Sequence, residues 1–378
     1  MTIDESNTVK KPKKIKKEFD FSKHPKRHVA LKIAYIGFNY QGFASQTHVQ
    51  NTVENKIFEA LLKVKLISDP NNCKYTRCGR TDSGVSAFGQ VIGIQLRSSE
   101  DDEKPFDYVR LINNVLPEDI RAIAWSFVDD DFDARFDCLY RTYKYFFVKS
   151  NLIIERMREA SKLLIGSHDF RNFCKINADQ VISFNRIMLD IQINKCTPDQ
   201  KDDDPDSLYE IIICGYSFLW HQVRCMVAVL FLVGERREDP SIILELLNVE
   251  KNPRKPQFAM ASEIPLILFD CAFENVKFHA DSSRLRAEAV VDLESHFVHM
   301  FQLNSIKTKI IQTMMNSIRC SLVVDEVVPD RIVTLNQIKT DHPNLTTRKG
   351  PRYVPLMERL TGKSVEEKRA SKQNKKTL

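Results

Sequence analysis

The segment from Lys74 to Gln90 constrains this chain most. A single carboxylate, Asp82, stands between Gly79 and Gly84, with Arg77 and Arg80 just before it. Residues Cys73 to Cys78 lead in as an extended run, and Gln90 to Arg97, with polar and apolar residues mostly alternating, lead out. The pattern predicts a strand, a tight loop that presents Asp82, and a second strand. Glycines suit such a loop because they accept positive φ and let another backbone come close. The same residues also suit an ordinary β-turn, with an aspartate capping its own backbone and solvated arginines.

At 378 residues, 43% hydrophobic and 28% charged, the chain has the composition of a soluble globular protein and can bury one large or two medium cores. Its longest apolar run, Cys225 to Val233, falls far short of the roughly 20 residues a membrane helix needs. No apolar core follows the N-terminal lysines, so neither an anchor nor a signal peptide is expected. The nine cysteines (73, 78, 138, 174, 196, 214, 225, 271 and 320) are scattered, odd in number and nowhere spaced C-x-x-C. That distribution predicts neither a disulfide framework nor a zinc site and fits a reducing compartment. No His/Cys/Asp cluster has ligand spacing, so no metal is expected.

The formal charge of +6 is unevenly spread: residues 1–28 carry +5 and residues 348–378 carry +7, which leaves −6 between them. A body of that charge binds RNA only if its arginines gather on one face. Its acidic runs, Glu100–Glu103, Asp129–Asp131 and Asp202–Asp204, must then sit in loops elsewhere. Basic tails add phosphate attraction that is indifferent to sequence. The cluster Lys10–Lys17, in a polar tail expected to be disordered, suits a nuclear-import address, an RNA-attracting arm or a solvating tail.

Four stretches are expected along the chain: a tail (1–28), a first half carrying the Asp loop (29–150), a second half (151–275), and an extension with a basic, disordered end (276–378). In the first half, a strand from Val29 to Phe38 leads to a glycine-flanked loop. Thr52 caps a helix from Val53 to Lys65, whose apolar residues recur at three- and four-residue steps. A helix over Phe106–Val115 and a strand over Ile120–Phe127 follow the Asp loop. This βαββαβ-like alternation predicts an antiparallel or mixed sheet with helices on one face. In the second half, a helix over Ile154–Leu164 ends at Gly166. Strands over Ile182–Ile193 and Leu208–Tyr216, a helix over Pro240–Leu247 and a strand over Leu266–Phe273 follow. His168, a lone histidine, suits a structural hydrogen-bonding role.

Two further stretches carry candidate chemistry. A strand over Tyr140–Phe147 would put Arg141, Tyr143 and Tyr145 on one face; a strand tyrosine is ordinarily core with its hydroxyl satisfied. From Phe218 to Gly234 the chain is apolar nearly all round, which predicts a buried helix. Arg224 shares a stripe there with Trp220, Val227 and Phe231. It must either snorkel outward or meet a buried anion, because an unpaired buried charge is costly.

The string Gly79-Arg80-Thr81-Asp82-x-Gly84-Val85, followed by Gln90-Val91, resembles the active-site motif of the TruA family of tRNA pseudouridine synthases. Arg77-Cys78 and Ser86-Ala87-Phe88-Gly89-Gln90-Val91-Ile92 resemble its eukaryotic branch, which acts on tRNA positions 38 and 39; Ser83 stands where that branch more usually has lysine. Tyr35 to Phe43 resembles the family's first strand and loop, Ala134-Arg135-Phe136 with Arg141-Thr142-Tyr143 its second motif, Ser167 to Phe173 its second-domain turn, and Phe218 to Arg224 its F-x-x-H-x-V/I-R motif. Gly350 to Arg359 resembles a tail motif of the same branch. The resemblance runs from about Val29 to Phe273.

What the resemblance implies is an α+β pseudouridine synthase fold: two ferredoxin-like halves forming a mixed, mainly antiparallel sheet with helices on one face. It implies Asp82 as the catalytic carboxylate, Tyr143 packed on the target uracil, and Arg224 ion-paired with Asp82. Arg80, Arg77 and Arg135 are the expected substrate contacts. The expected partner is tRNA and the expected assembly a homodimer in the nucleus and cytoplasm, with no membrane, cofactor or metal. Modification of other RNA positions, or a non-catalytic tRNA-binding or folding role, is the alternative; the intact set of Asp82, Tyr143 and Arg224 weighs against the last.

Overall fold

The computed structural model describes residues 19–101, 105–176, 181, 183–196, 204–278, 284–321 and 353–376. The Lys10–Lys17 cluster, most of the Asp202–Asp204 run and residues 350–352 lie outside the described residues.

The first half runs β1 (Lys26–Tyr35), α1 (Val53–Lys63), β2 (Thr76–Arg77), β3 (Ser86–Arg97), α2 (Tyr108–Asn113) and β4 (Ile120–Phe127). Helix α1 starts where its cap predicts: the Asn55 N–H donates to the Thr52 hydroxyl at 3.3 Å. Asp107 caps α2 in the same way, accepting from the Arg110 N–H at 3.0 Å. The second half runs β5 (Tyr140–Val148), α3 (Ile154–Lys162), β6 (Gly166–Asp169), β7 (Asn185–Lys195), β8 (Leu208–Gly215), α4 (Gln222–Gly234), α5 (Ile242–Leu247) and β9 (Leu266–Ala272). A long helix α6 (Arg284–Ser321) and a last helix α7 (Val365–Lys376) follow.

All nine strands join one sheet in the order β4-β1-β3-β9-β5-β8-β7-β6, with β2 on β3. Each half is a βαββαβ unit whose strands lie fourth, first, third, second: β4-β1-β3-β2 in one and β9-β5-β8-β7 in the other, the ferredoxin-like order. The pairings are antiparallel except at the seam, where β3 and β9 run parallel over Ser86↔Ile267 and Ala87↔Leu268. Helices α1 and α2 contribute to one apolar core, which covers the first half, and α3, α4 and α5 to a second. Tyr143 packs against both. Away from the helices, Lys32–Asp270 (2.8 Å) reaches from β1 across β3 to β9, and Lys144–Glu210 (3.0 Å) bridges the neighbouring strands β5 and β8, which marks a polar face.

Several boundaries differ from the sequence expectation, each for a tertiary reason. The strand entering the Asp loop shrinks to Thr76–Arg77, and β3 begins already at Ser86 because its first residues pair with β9. Ser167–Phe173, expected as a turn, includes the edge strand β6, which pairs with β7. The buried helix starts only at Gln222, so Trp220 precedes it, half exposed, and shares no helical stripe with Arg224.

The C-terminal end, expected to be disordered, is docked over residues 353–376. Leu356 and Val365 are buried in the second core. Glu238 accepts from the Leu356 N–H at 2.6 Å and from the Tyr353 hydroxyl. Ser364 and Glu367 cap α7 reciprocally: the Ser364 N–H donates to the Glu367 carboxylate at 2.7 Å, and the Glu367 N–H to the Ser364 hydroxyl at 3.1 Å.

The seam requires a glycine. A Cβ on Gly89 would lie 2.5 Å from both the Asp270 Cα and the Phe269 carbonyl oxygen, backbone that cannot swing aside. Gly89→Ala should therefore destabilise the protein by about 1–3 kcal/mol, the usual cost of overpacking, measured by urea unfolding. Gly362→Ala, which meets nothing within 4 Å, should leave the midpoint unchanged.

Candidate active site

Asp82 sits on the loop between β2 and β3, and that loop is held mostly by residues outside it. Gln90, fully buried on β3, donates from its amide to the Gly79 carbonyl at 2.9 Å and accepts from the Gly79 N–H at 3.4 Å. The Tyr35 and Thr81 hydroxyls share a buried hydrogen bond of 2.7 Å. From the first loop, the Phe43 N–H donates to the Thr81 carbonyl at 3.1 Å, and the Tyr40 carbonyl accepts from the Gly84 N–H at 3.1 Å. Gly84 takes φ +80°, a conformation that L side chains rarely adopt. The Asp82 side chain keeps 27% of its exposure, so it is neither free nor sealed.

Its charged neighbourhood comes from the second half. His221 Nε2 lies 3.4 Å from the Asp82 carboxylate. His221 is the N-terminal cap residue of α4 and holds φ 62° in the left-handed region, where histidine is tolerated better than most residues. Asp82 thus lies beside the cap residue of a 13-residue helix. Burial holds the His221 imidazole below its usual range, against the pull of the Asp82 carboxylate, so the ring is neutral at pH 7. With Nε2 facing a carboxylate, the geometry assigns the single ring proton to Nε2. Nδ1 is then an acceptor, buried without a hydrogen-bond partner among the described residues.

The Arg224–Asp82 pair expected from the resemblance is not formed. Arg224 Nε donates to the Ala261 carbonyl at 2.8 Å, and its guanidinium meets Glu263 at 2.7 Å. Arg224 leaves the first turn of α4 toward the 261–264 segment, and there a carboxylate lies in reach. The consequence still touches the loop: a Cβ on Gly84 would lie 2.7 Å from the Glu263 Cγ, so the residue that Arg224 holds packs on the Asp loop. Of the alternatives that the sequence left open, snorkelling or meeting a buried anion, the second holds in modified form, with Glu263 partly exposed.

Tyr143 lies on β5, edge-on to Phe218 with ring centroids 5.0 Å apart. Burial, chiefly, pushes its phenol well above the ordinary tyrosine range, with the Cys271 and Cys78 thiols adding to the shift. The hydroxyl is therefore neutral at pH 7 and not available as a phenolate base.

The three arginines expected to contact substrate part company. Arg80 is exposed and makes no hydrogen bond or ion pair among the described residues. Arg135 is exposed, with its guanidinium 5.3 Å from the centroid of the exposed Phe136 ring. Arg77 is not free: it pairs with the buried Glu54, which also accepts from Tyr75 at 2.6 Å and from the Ser45 N–H at 2.6 Å. A buried carboxylate needs that compensation, so Arg77 is tied to Glu54 and holds α1 against the loop. Arg141, noted in the sequence only as part of a motif, bridges three segments. It donates to the carbonyls of Tyr216 (2.7 Å), Arg135 (2.7 Å) and Cys78 (3.1 Å). Three of the scattered cysteines also meet here: Cys78, Cys138 and Cys271 are buried, with sulfurs within 4.8 Å of one another.

Sequence reasoning missed Glu263, and no local signal could have found it, because its partner lies 39 residues away. His221 and Gln90 stood inside the quoted motifs without a role; only the fold gives them one.

A lone carboxylate on a glycine-bracketed loop, at the seam of two ferredoxin-like halves that share one sheet, defines a pseudouridine synthase fold. The family profile described as tRNA pseudouridine synthase matches residues 160–274. A Mus musculus protein named tRNA pseudouridine(38/39) synthase is 42% identical over 373 residues, covering 92% of this chain and 76% of its own. Proteins of the same name are 46% identical in Homo sapiens (81% of this chain, 66% of theirs) and 44% identical in Saccharomyces cerevisiae (71% and 62%). The chain belongs to the tRNA pseudouridine synthase family.

The pairing of Arg224 is testable by double-mutant cycles in urea unfolding. Arg224→Lys should couple to Glu263→Gln by about 0.5–3 kcal/mol, as contacting residues do, and to Asp82→Asn by much less. The reverse order would restore the Asp82 pair.

Proposed function

We propose that this chain isomerises uridine to pseudouridine at positions 38 and 39 of tRNA, with Asp82 as the catalytic carboxylate. The observation that carries the site assignment is the Asp82 loop itself, a carboxylate fixed by both halves at the N-terminus of α4. The positions rest on the names of the mouse, human and yeast relatives.

The reaction breaks the N1–C1′ glycosidic bond, turns the held base and joins C5 to C1′. Nothing is oxidised or reduced, so the chemistry asks for no redox group. An ionised carboxylate serves each of the three routes: attack at C1′, attack at C6 of the ring, or removal of the C2′ proton. His221, neutral, can donate Nε2–H to the carboxylate and hold its orientation without carrying charge. Tyr143 offers an aromatic surface to the uracil; being neutral, it acts by packing and by its hydroxyl dipole. The target base must leave its stack to reach Asp82, and exposed Arg80 and Arg135 are the cations free to hold the displaced strand's phosphates.

We propose a homodimer formed through α6. Its 38 residues extend about 57 Å at 1.5 Å per residue, and Phe301, Ile306, Ile310 and Met314 are exposed along it. A stripe of that size on a single helix calls for a partner, and a second copy presents the same stripe. We also propose that the protein works in the nucleus and cytoplasm, with Lys10–Lys17 serving either as an import address or as an RNA-attracting arm.

Asp82→Asn should lower pseudouridine formation by roughly three orders of magnitude or more and leave tRNA affinity within about twofold, because phosphate contacts dominate binding. Carbodiimide mapping of tRNA should mark positions 38 and 39 with the unaltered enzyme; marks only elsewhere would overturn the position assignment. In sedimentation equilibrium the full chain should be a dimer, and Ile310→Glu combined with Met314→Glu should give monomers. Residues 1–28 fused to a cytosolic reporter should carry it into the nucleus; a reporter that stays outside would remove the address.

A further inference from the structure

We propose that Cys78, Cys138 and Cys271 form a zinc site at the seam of the two halves, next to the loop that carries Asp82. The three residues come from separate places: Cys78 from the end of β2, Cys138 from the turn before β5, and Cys271 from β9. Their sulfurs lie within 4.8 Å of one another, and all three side chains are buried. A triangle of that side has its centre about 2.8 Å from each corner at most, against about 2.3 Å for a zinc–thiolate bond. A small inward movement of each sulfur is enough to complete three bonds, and a water molecule would fill the fourth position of a tetrahedral zinc.

Buried thiols also serve as small apolar groups, so closeness alone does not decide. Arg141 supplies the second observation. Its guanidinium gives all its described hydrogen bonds to neutral carbonyls, those of Tyr216, Arg135 and Cys78. No carboxylate lies within 4.0 Å of it among the described residues, and it stands opposite Cys271 across the β5–β9 pair, on the same face. Half-buried and donating only to neutral carbonyls, the guanidinium leaves its positive charge uncompensated beside the sulfurs, where it favours their ionised form. Three thiolates around one Zn²⁺ carry a net charge of −1, which one arginine balances. Around a monovalent copper ion they would carry −2, and the balance would fail. Loading zinc releases the three thiol protons to solvent and changes no oxidation state.

Such a site would tie three segments together. Cys78 precedes Asp82 by four residues, Cys138 leads into the strand of Tyr143, and Cys271 lies on the seam strand. Its consequence is a fixed distance between the Asp loop and the tyrosine strand.

The test uses the full chain, expressed with zinc, purified under reducing conditions without chelator and dialysed against metal-free buffer. Plasma mass spectrometry should find about one zinc per chain, and Cys138→Ser should retain less than about a tenth of that. Cys174→Ser, a buried cysteine outside the cluster, should keep it all. Replacement of zinc by cobalt(II) should give thiolate-to-cobalt charge-transfer absorption, which reports sulfur ligation in the unaltered chain even if Cys138→Ser fails to fold. Metal-free protein that shows no cobalt absorption after loading would overturn the proposal. So would an internal disulfide between two of the three cysteines in freshly isolated protein.

Discussion

The rest of the structure depends on the close approach of β3 and β9, over Ser86–Ala87 and Ile267–Leu268. Two ferredoxin-like units could each bury their own helices and stay apart. They fuse because the second strand of the first unit, β2, stops after two residues. The edge of β3 that a full-length β2 would have covered is left open, and β9 takes it. Gly89 makes the approach sterically possible. The segment that cut β2 short is the Asp82 loop itself, so the feature that opens the seam is the feature that the seam then holds.

That arrangement explains why the loop can be both irregular and fixed. A loop of eight residues with two glycines would pay heavily in backbone entropy if it were ordered by its own contacts. Here the ordering is shared with elements already fixed by packing: Gln90 from β3, Tyr35 from β1, Tyr40 and Phe43 from the first loop, and Arg141 from β5. The second half adds the helix terminus, His221 and the Glu263 that Arg224 holds. Side chains on such supports stay where packing of the two halves puts them.

The electrostatics around Asp82 are gentler than a direct arginine pair would make them. A guanidinium bound two-point to the carboxylate would hold it ionised but would also lower its nucleophilicity and occupy its oxygens. The neutral His221 imidazole, 3.4 Å away, leaves more of the carboxylate uncovered. Arg224 still matters, one step removed, through the segment that packs on Gly84.

The sequence by itself determined most of the elements and, through a family resemblance, the candidate chemistry. Apolar periodicity, Thr52 as a cap and the all-round apolar run from Cys225 to Val233 placed β1, α1, β4, β5 and α4 closely, because local propensity and burial patterns act within a few residues. The glycine-bracketed loop around Asp82 also suited an ordinary turn, and the resemblance of its motif to a known family singled it out; the capping box at Ser364 and Glu367 was there to be seen in a tail expected to be disordered. What only the tertiary structure decided are partnerships across long separations: Arg224 with Glu263 instead of Asp82, Arg77 with Glu54, and Cys78, Cys138 and Cys271 with one another. A charged side chain settles on whichever counter-charge the packed backbone brings within reach. That choice is made by strand order and register, which no local pattern along the chain encodes.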